Sequence, residues 1–343
     1  MIDLRSDTVT KPTPAMFQAM AEAELGDDVY EEDPTVRQLE EEGAELVGKE
    51  KALFVPSGTM GNQVAVMAYT FRGDEVIVDA DSHVASYEVG GPAMLAGVQL
   101  RTVESLLEGD TVQRFAARLR PENIHFPPVR LLCLENTFNQ GGGLVLPPSK
   151  MESAYRMAES EGIAVHLDGA RIFNAATACH ADVKEFTRWC DSVMFCLSKG
   201  LAAPVGSLLA GKASFIEAAR RYRKALGGGM RQAGILAAAG RIALQLRERL
   251  EEDHHNALLL AEGLRYLSGI DIDMDRVQTN MVQVKLIDER LQAPRFIQEL
   301  ENRGVMVNPS RNGTIRLVTH IDVTRKEVEE AREIITDTVR SLT

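Results

Sequence analysis

The stretch SVMFCLSKGLAAPVGS, Ser192 to Ser207, joins an apolar run of strand length to the pair Ser198 and Lys199. Val193 to Leu197 have the composition of a strand covered on both faces, and an amine at the end of such a strand can serve as a nucleophile toward a carbonyl. A second strand-like run, in GIAVHLDGAR, ends at Asp168, and Arg171 follows within one turn. A third, ALFV, runs into PSGTMGNQ, where Ser57, Gly58 and Thr59 stand just before a helical segment. Backbone amides at a helix start, two hydroxyls and a glycine that permits close approach suit a phosphate group. Open parallel sheets hold ligands at the carboxyl ends of their strands, so amine, carboxylate, guanidinium and phosphate cradle converge on one crevice. Each feature alone has a plainer reading, as a solvated lysine or as a turn with a helix cap. Together they ask for one ligand with a phosphate, a basic ring nitrogen and an aldehyde.

Pyridoxal 5'-phosphate carries those three groups. Its aldehyde needs an amine to form a Schiff base, the part of Lys199, and its ring nitrogen needs a buried carboxylate to stay protonated, the part of Asp168.

The elements that must position these residues alternate along the chain. Asp33 and Pro34 read as a helix cap and first turn, with Val36, Leu39, Gly43, Leu46 and Val47 at helical spacing and Gly48 as the stop. Strands follow at 52–55, 75–80, 131–136, 163–168 and 192–197, with helices after Ser57 and over 149–161. Short apolar strands separated by helices predict an α/β fold class with a largely parallel, doubly covered sheet. A long helical region, 231–268, leads to strand 279–286, helix 293–303, strands near 305–308 and 314–318, and a last helix opened by a Thr324 to Glu327 capping box. The expected organisation is a large cofactor-binding domain over 1–252 and a small C-terminal α+β domain over 253–343, with the N-terminal segment packing on the latter.

With 343 residues, 45% hydrophobic and 26% charged, the chain can bury one large core or two smaller ones. Its formal net charge of −12 opposes nucleic acid and anionic membranes as partners. Cys133, Cys179, Cys190 and Cys196 form no CxxC pair, and no metal-ligand spacing stands out. Reduced thiols, and a start without a charged and apolar leader pattern, lead us to expect a cytoplasmic protein.

From MIDLRSDTVTKPT through GDDVYEEDPT, FVPSGTMGNQ, DSHV, HLDGARIFNA, SVMFCLSKGL, GGGMRQAG and IRLVTH, the chain resembles the low-specificity L-threonine aldolases. These are pyridoxal-phosphate enzymes of the aspartate aminotransferase superfamily (fold type I). The resemblance implies a mostly parallel, seven-stranded type of sheet and retro-aldol cleavage of L-threonine or L-allo-threonine to glycine and acetaldehyde. It implies that His83 stacks on the cofactor ring and that His125 lies near the substrate side chain. It places Ser6, Arg171 and Arg316 around the substrate carboxylate, where a guanidinium fork gives bidentate contact. Arg231 would reach the phosphate from a neighbouring subunit, in a homotetramer with active sites at a dimer interface. His83, His125 or a bound water would take the β-hydroxyl proton, since an imidazole ordinarily titrates near ~6.5. Phe138 stands where relatives often carry histidine, which puts a polar role there in question. A β-eliminating lyase or a serine hydroxymethyltransferase-like enzyme would share Lys199 and Asp168; a non-catalytic scaffold would have no need of the substrate clamp.

Overall fold

Five of the apolar runs lie in one sheet of seven strands. The computed structural model describes residues 1–343, the side chain of Asn312 apart. The strands are β1 (Lys51–Val55), β2 (Glu75–Asp79), β3 (Gln99–Val103), β4 (Val129–Glu135), β5 (Ala164–Asp168), β6 (Ser192–Cys196) and β7 (Ser207–Gly211). Their spatial order is β1-β7-β6-β5-β4-β2-β3. Pairs β2/β3, β2/β4, β4/β5 and β5/β6 are parallel, and β7 alone runs against its two neighbours. The mostly parallel α/β sheet expected from the sequence is therefore present. Every residue of β2, β6 and β7 is buried, which is why these strands read as continuous rather than alternating apolar runs.

Two strands, β3 and β7, carry weaker sequence signals. Gln99–Val103 is an edge strand with polar residues, and Ser207–Gly211 ends on a glycine. The long helical region expected over 231–268 is built from helices Gly234–Gln245 and Leu250–Leu264, joined by a tighter turn at Leu246–Arg249. No proline or glycine marks that turn, so periodicity alone ran through it.

A second sheet of four short strands, in the order Asn308–Pro309, Thr314–Val318, Met281–Leu286, Ile270–Asp271, is antiparallel throughout. Helices Ala293–Asn302 and Arg325–Leu342 add buried apolar side chains to its hydrophobic cluster, together with Ile2 and Leu4. Ile2 and Asp3 pair in parallel with Val305 and Met306, and the Thr324–Glu327 capping box is formed. The chain's first residues thus bind to its last hundred, and this carries residues 5–10 across the carboxyl ends of β5 and β6. Thr10 Oγ1 donates to the Lys199 carbonyl at 2.9 Å. No helix is long and apolar enough to cross a membrane among the described residues.

Candidate active site

Where β1, β5 and β6 end, a cavity of about 200 Å³ is lined by Ser57, Gly58, Thr59, His83, Asp168 and Lys199, among others. It shares His83, Arg171 and Lys199 with a wider opening of about 530 Å³ that reaches Ser6 and Arg316. Nearly all of the residues singled out in the sequence therefore meet in one place.

Asp168 is almost fully buried. One of its carboxylate oxygens accepts from Asn62 Nδ2 at 2.8 Å and the other from the Ala170 amide at 3.1 Å. Behind it, Asn62 Oδ1 lies 3.0 Å from His166 Nε2, whose Nδ1 is 2.8 Å from Ser192 Oγ. Because the Asn62 amino group serves carboxylates, its Oδ1 must accept, which puts the His166 proton on Nε2. Burial pushes His166 down to about 4, against the pull of Asp168, so it is a neutral relay rather than an acid. At the end of β1, Ser57 caps helix Gly58–Tyr69 by accepting from the Met60 amide. A Cβ on Gly58 would stand 3.0 Å from Cys196 Sγ and from Met194 Cε, so the backbone here sits close against β6.

Lys199 and Arg316 lack acidic partners among the described residues. Lys199 forms no ion pair, and Arg316 donates only to Asn139 Oδ1 (2.9 Å) and the Arg5 carbonyl (3.4 Å), leaving its buried Nε unsatisfied. Burial, and then Arg171, hold the Arg316 guanidinium below its ordinary value. Arg171 differs: its Nε and Nη2 grip Asp7 at 2.7 and 2.6 Å, while Nη1 faces Asn139 Oδ1 at 3.4 Å. Asp7 thus takes the Nε and Nη2 edge of Arg171, while Arg316 has no acidic hydrogen-bond partner among the described residues. Burial alone would raise the Asp7 carboxyl, but Arg171, Lys199 and Arg316 outweigh it and hold it well below the usual range. Asp7→Asn removes the carboxylate that grips a buried guanidinium and should destabilise the fold by about 3–5 kcal/mol. Denaturant unfolding at neutral pH reads this directly, and an unchanged midpoint would contradict it.

Glu135 and Asn139 also line the cavity and Glu88 stands behind it, in roles that escaped sequence reading. Glu88 accepts from Asn62 Nδ2 at 2.8 Å and from Gln63 Nε2, and pairs with His83 Nδ1 at 2.8 Å. Glu135 receives the backbone amides of His83 (2.6 Å) and Asn139 (2.9 Å); burial first, then Asp168, push it up to about 7. Asn139 bridges the two guanidiniums. The clue available beforehand was general: a buried cation or carboxylate must find partners. Phe138 is buried in the main core, its amide on the Leu144 carbonyl at 2.8 Å, so its ring takes a packing role away from the cavity.

Two expected site residues stand apart. His125 is exposed, its amide donating to Asn123 Oδ1 at 3.0 Å, and does not line either opening. Arg231 is also outside, paired with Asp27 at 3.0 Å with 57% of its side chain exposed.

The donor set fits pyridoxal phosphate: a deep, hydrogen-bonded carboxylate, an unpaired amine, and a capped helix start that supplies amides and hydroxyls. Comparison with known proteins agrees, since the family described as beta-eliminating lyase matches residues 3–287. The chain belongs to the beta-eliminating lyase family. Within it, the chain is 46% identical to the low specificity L-threonine aldolase of Escherichia coli (strain K12), over 96% of this chain and 97% of that protein. It is 45% identical to low-specificity L-threonine aldolase 1 of Arabidopsis thaliana, over 95% of this chain and 93% of that one. The structure of Leishmania major threonine aldolase superposes with a TM-score of 0.82 at 20% identity, covering 99% of this chain and 100% of that one. That last likeness concerns the fold alone.

Proposed function

We propose that this chain is a lyase that binds pyridoxal 5'-phosphate and cleaves L-threonine and L-allo-threonine to glycine and acetaldehyde. The observation that carries the reading is the company Lys199 keeps. An unpaired amine shares a continuous opening with the buried carboxylate Asp168 and with a guanidinium, Arg316, that has no acid of its own. When bound, the cofactor supplies an electron sink conjugated with the substrate nitrogen. Lys199 would hold its aldehyde, Asp168 would keep the ring nitrogen protonated, and Ser57, Gly58 and Thr59 would hold the phosphate. His83 would pack on the ring, and Arg231 would reach the phosphate from a second subunit.

Arg171 is neutralised by Asp7, so the substrate end of the opening presents the unpaired charge of Arg316. That suits one α-carboxylate, and Ser6 on the same wall offers a hydroxyl. Holding the carboxylate fixes rotation about the N–Cα bond. A carboxylate held at one end of the opening would let these residues choose which bond to Cα is aligned to break. His125 would join the substrate side chain on assembly, in a cytoplasmic homotetramer whose chains divide into large and small domains near residue 252. The −12 net charge supports an amino-acid substrate without nucleic acid or membrane as partner.

Incubation of the loaded protein with each threonine diastereomer, following acetaldehyde and glycine, tests the reading. Acetaldehyde with equimolar glycine is expected; a 2-oxo acid with ammonia would make the chain an eliminating lyase instead. Asp168→Asn gives a narrower test. With cofactor saturating, single-turnover cleavage should slow by roughly 100-fold while substrate affinity changes little, because the electron sink matters in the transition state. An unchanged cleavage rate would remove Asp168 from this role.

A further inference from the structure

Glu88 belongs to no motif that drew attention in the sequence, yet its side chain is completely buried beside the cavity. A buried carboxylate needs donors, and Glu88 has three: Asn62 Nδ2 at 2.8 Å, Gln63 Nε2 and His83 Nδ1 at 2.8 Å. Asn62 and Gln63 are amides whose NH2 groups must donate to it, so both partners on that side are fixed in orientation. On the third side, an acceptor-only carboxylate demands a proton on His83 Nδ1. The neutral imidazole is then left with its lone pair on Nε2. His83 lines both openings with Nδ1 turned back to Glu88, and Nε2 makes no hydrogen bond among the described residues. The ring is further fixed by Tyr87, 5.7 Å away and 27° from parallel, and by the His83 amide on Glu135.

We propose that Glu88 is a positioning residue that makes His83 Nε2 the acceptor of the substrate's β-hydroxyl proton. This rests on the aldol-cleavage reading above. The O–H bond of the substrate breaks as an Nε2–H bond forms. The O–H electron pair becomes the second bond of the aldehyde C=O, and the Cα–Cβ pair stays with the glycine fragment. The imidazolium so formed faces a carboxylate across 2.8 Å, a charge-assisted pair shielded from water. A proton returned to Cα completes glycine and leaves the site as it began.

The groups facing His83 are Glu88, Asp168, Glu135 and Lys199, with Tyr87 against the ring. Burial lowers the imidazole, and Lys199 adds to that; Glu88, through its hydrogen bond and its charge, and Asp168 outweigh them, so the net direction is upward. A raised imidazole is charged at low pH and gains its accepting lone pair only as pH rises through its own value. Activity should therefore have an acidic limb set by His83.

The test has two readouts. In apoprotein labelled with ¹⁵N-histidine, and assigned with His83→Gln, the wild-type His83 signal should be protonated at Nδ1 and titrate above ~6.5. Glu88→Gln keeps the shape and removes the charge, so the midpoint should fall by about one unit, a tenfold loss of proton affinity. Glu88→Asp, which keeps the charge, should restore part of the shift. In the loaded enzyme, the acidic limb of kcat/KM for threonine should move down by the same amount in Glu88→Gln. A His83 titration identical in Glu88→Gln and wild type overturns the positioning role, whatever the enzyme's reaction. A shifted titration with an unmoved limb overturns His83 as the acceptor. Absence of acetaldehyde from the wild type, with the titration shifted as expected, would count against the aldol reading and leave the pairing of Glu88 with His83 standing.

Discussion

Lys199→Ala is expected to remove turnover, by roughly a thousandfold or more, or about 4 kcal/mol in the barrier, while leaving a folded protein. Both halves of this expectation come from the surroundings of Lys199. Its amine makes no ion pair, so truncation strands no buried charge. Its backbone carbonyl, which does bear structure by accepting from Thr10 Oγ1 and the Ala202 amide, is untouched by the substitution. The lost function is covalent: no other lysine lines either opening. Borohydride reduction of the loaded wild type should fix the cofactor to a single peptide containing Lys199. Lys199→Ala should retain the wild-type unfolding midpoint and show no such peptide. Labelling of a different lysine, or residual turnover within tenfold of wild type, would place the nucleophile elsewhere.

Lys199 and Asp168 were legible because a doubly covered parallel strand advertises itself as an unbroken apolar run, and the first polar residue after it must sit at a sheet edge. Ser57 was legible for the same reason, helped by its role as a cap. The partners of these residues were not. Asn62 and Gln63 lie inside helix Gly58–Tyr69, where a polar residue reads as solvated, yet both are buried against Glu88. Glu88 follows a helix of only four residues, His83–Ser86, too short for any periodicity. Asp7 lies in SDTV near the start of the chain, far in sequence from the Arg171 it pairs with. Such contacts depend on how elements pack, and a single chain's local pattern carries no register between them. Arg171 shows the consequence: its place at the end of a buried strand followed from the sequence, but Asp7, which grips its Nε and Nη2, did not.

Arg231, like His125, lies outside the cavity in a single chain, and an experiment with two lesions follows from its position. Its side chain is 57% exposed and held only by Asp27, a surface pair of the kind that contributes about 0–1 kcal/mol. Tyr30, whose segment hydrogen bonds the Arg231 backbone through the Asp28 amide, is 71% exposed. Gly227, at φ +80, starts the Gly227 to Gly229 turn that presents this stretch outward. Meanwhile Ser57 and Thr59 of the phosphate cradle are exposed in the isolated chain. A phosphate dianion on one helix start is only partly compensated by amides and hydroxyls, and a guanidinium exchanging Asp27 for it gains the stronger, charge-assisted contact. If that guanidinium comes from a second copy, each site takes Lys199 from one chain and Arg231 from the other. Lys199→Ala and Arg231→Ala chains, each impaired alone, should then complement when mixed. In a mixed dimer one site collects both lesions and the other is intact. With random exchange half the dimers are mixed, so activity should recover to roughly a quarter of wild type. If sites were built within single chains, every site in every dimer would carry one lesion and mixing would recover nothing. Failure to recover, with subunit exchange shown by native mass spectrometry, would return Arg231 to its surface pair with Asp27. Recovery would make the dimer a requirement for binding the phosphate, and cofactor affinity should then fall as protein concentration drops below the dimer's dissociation constant.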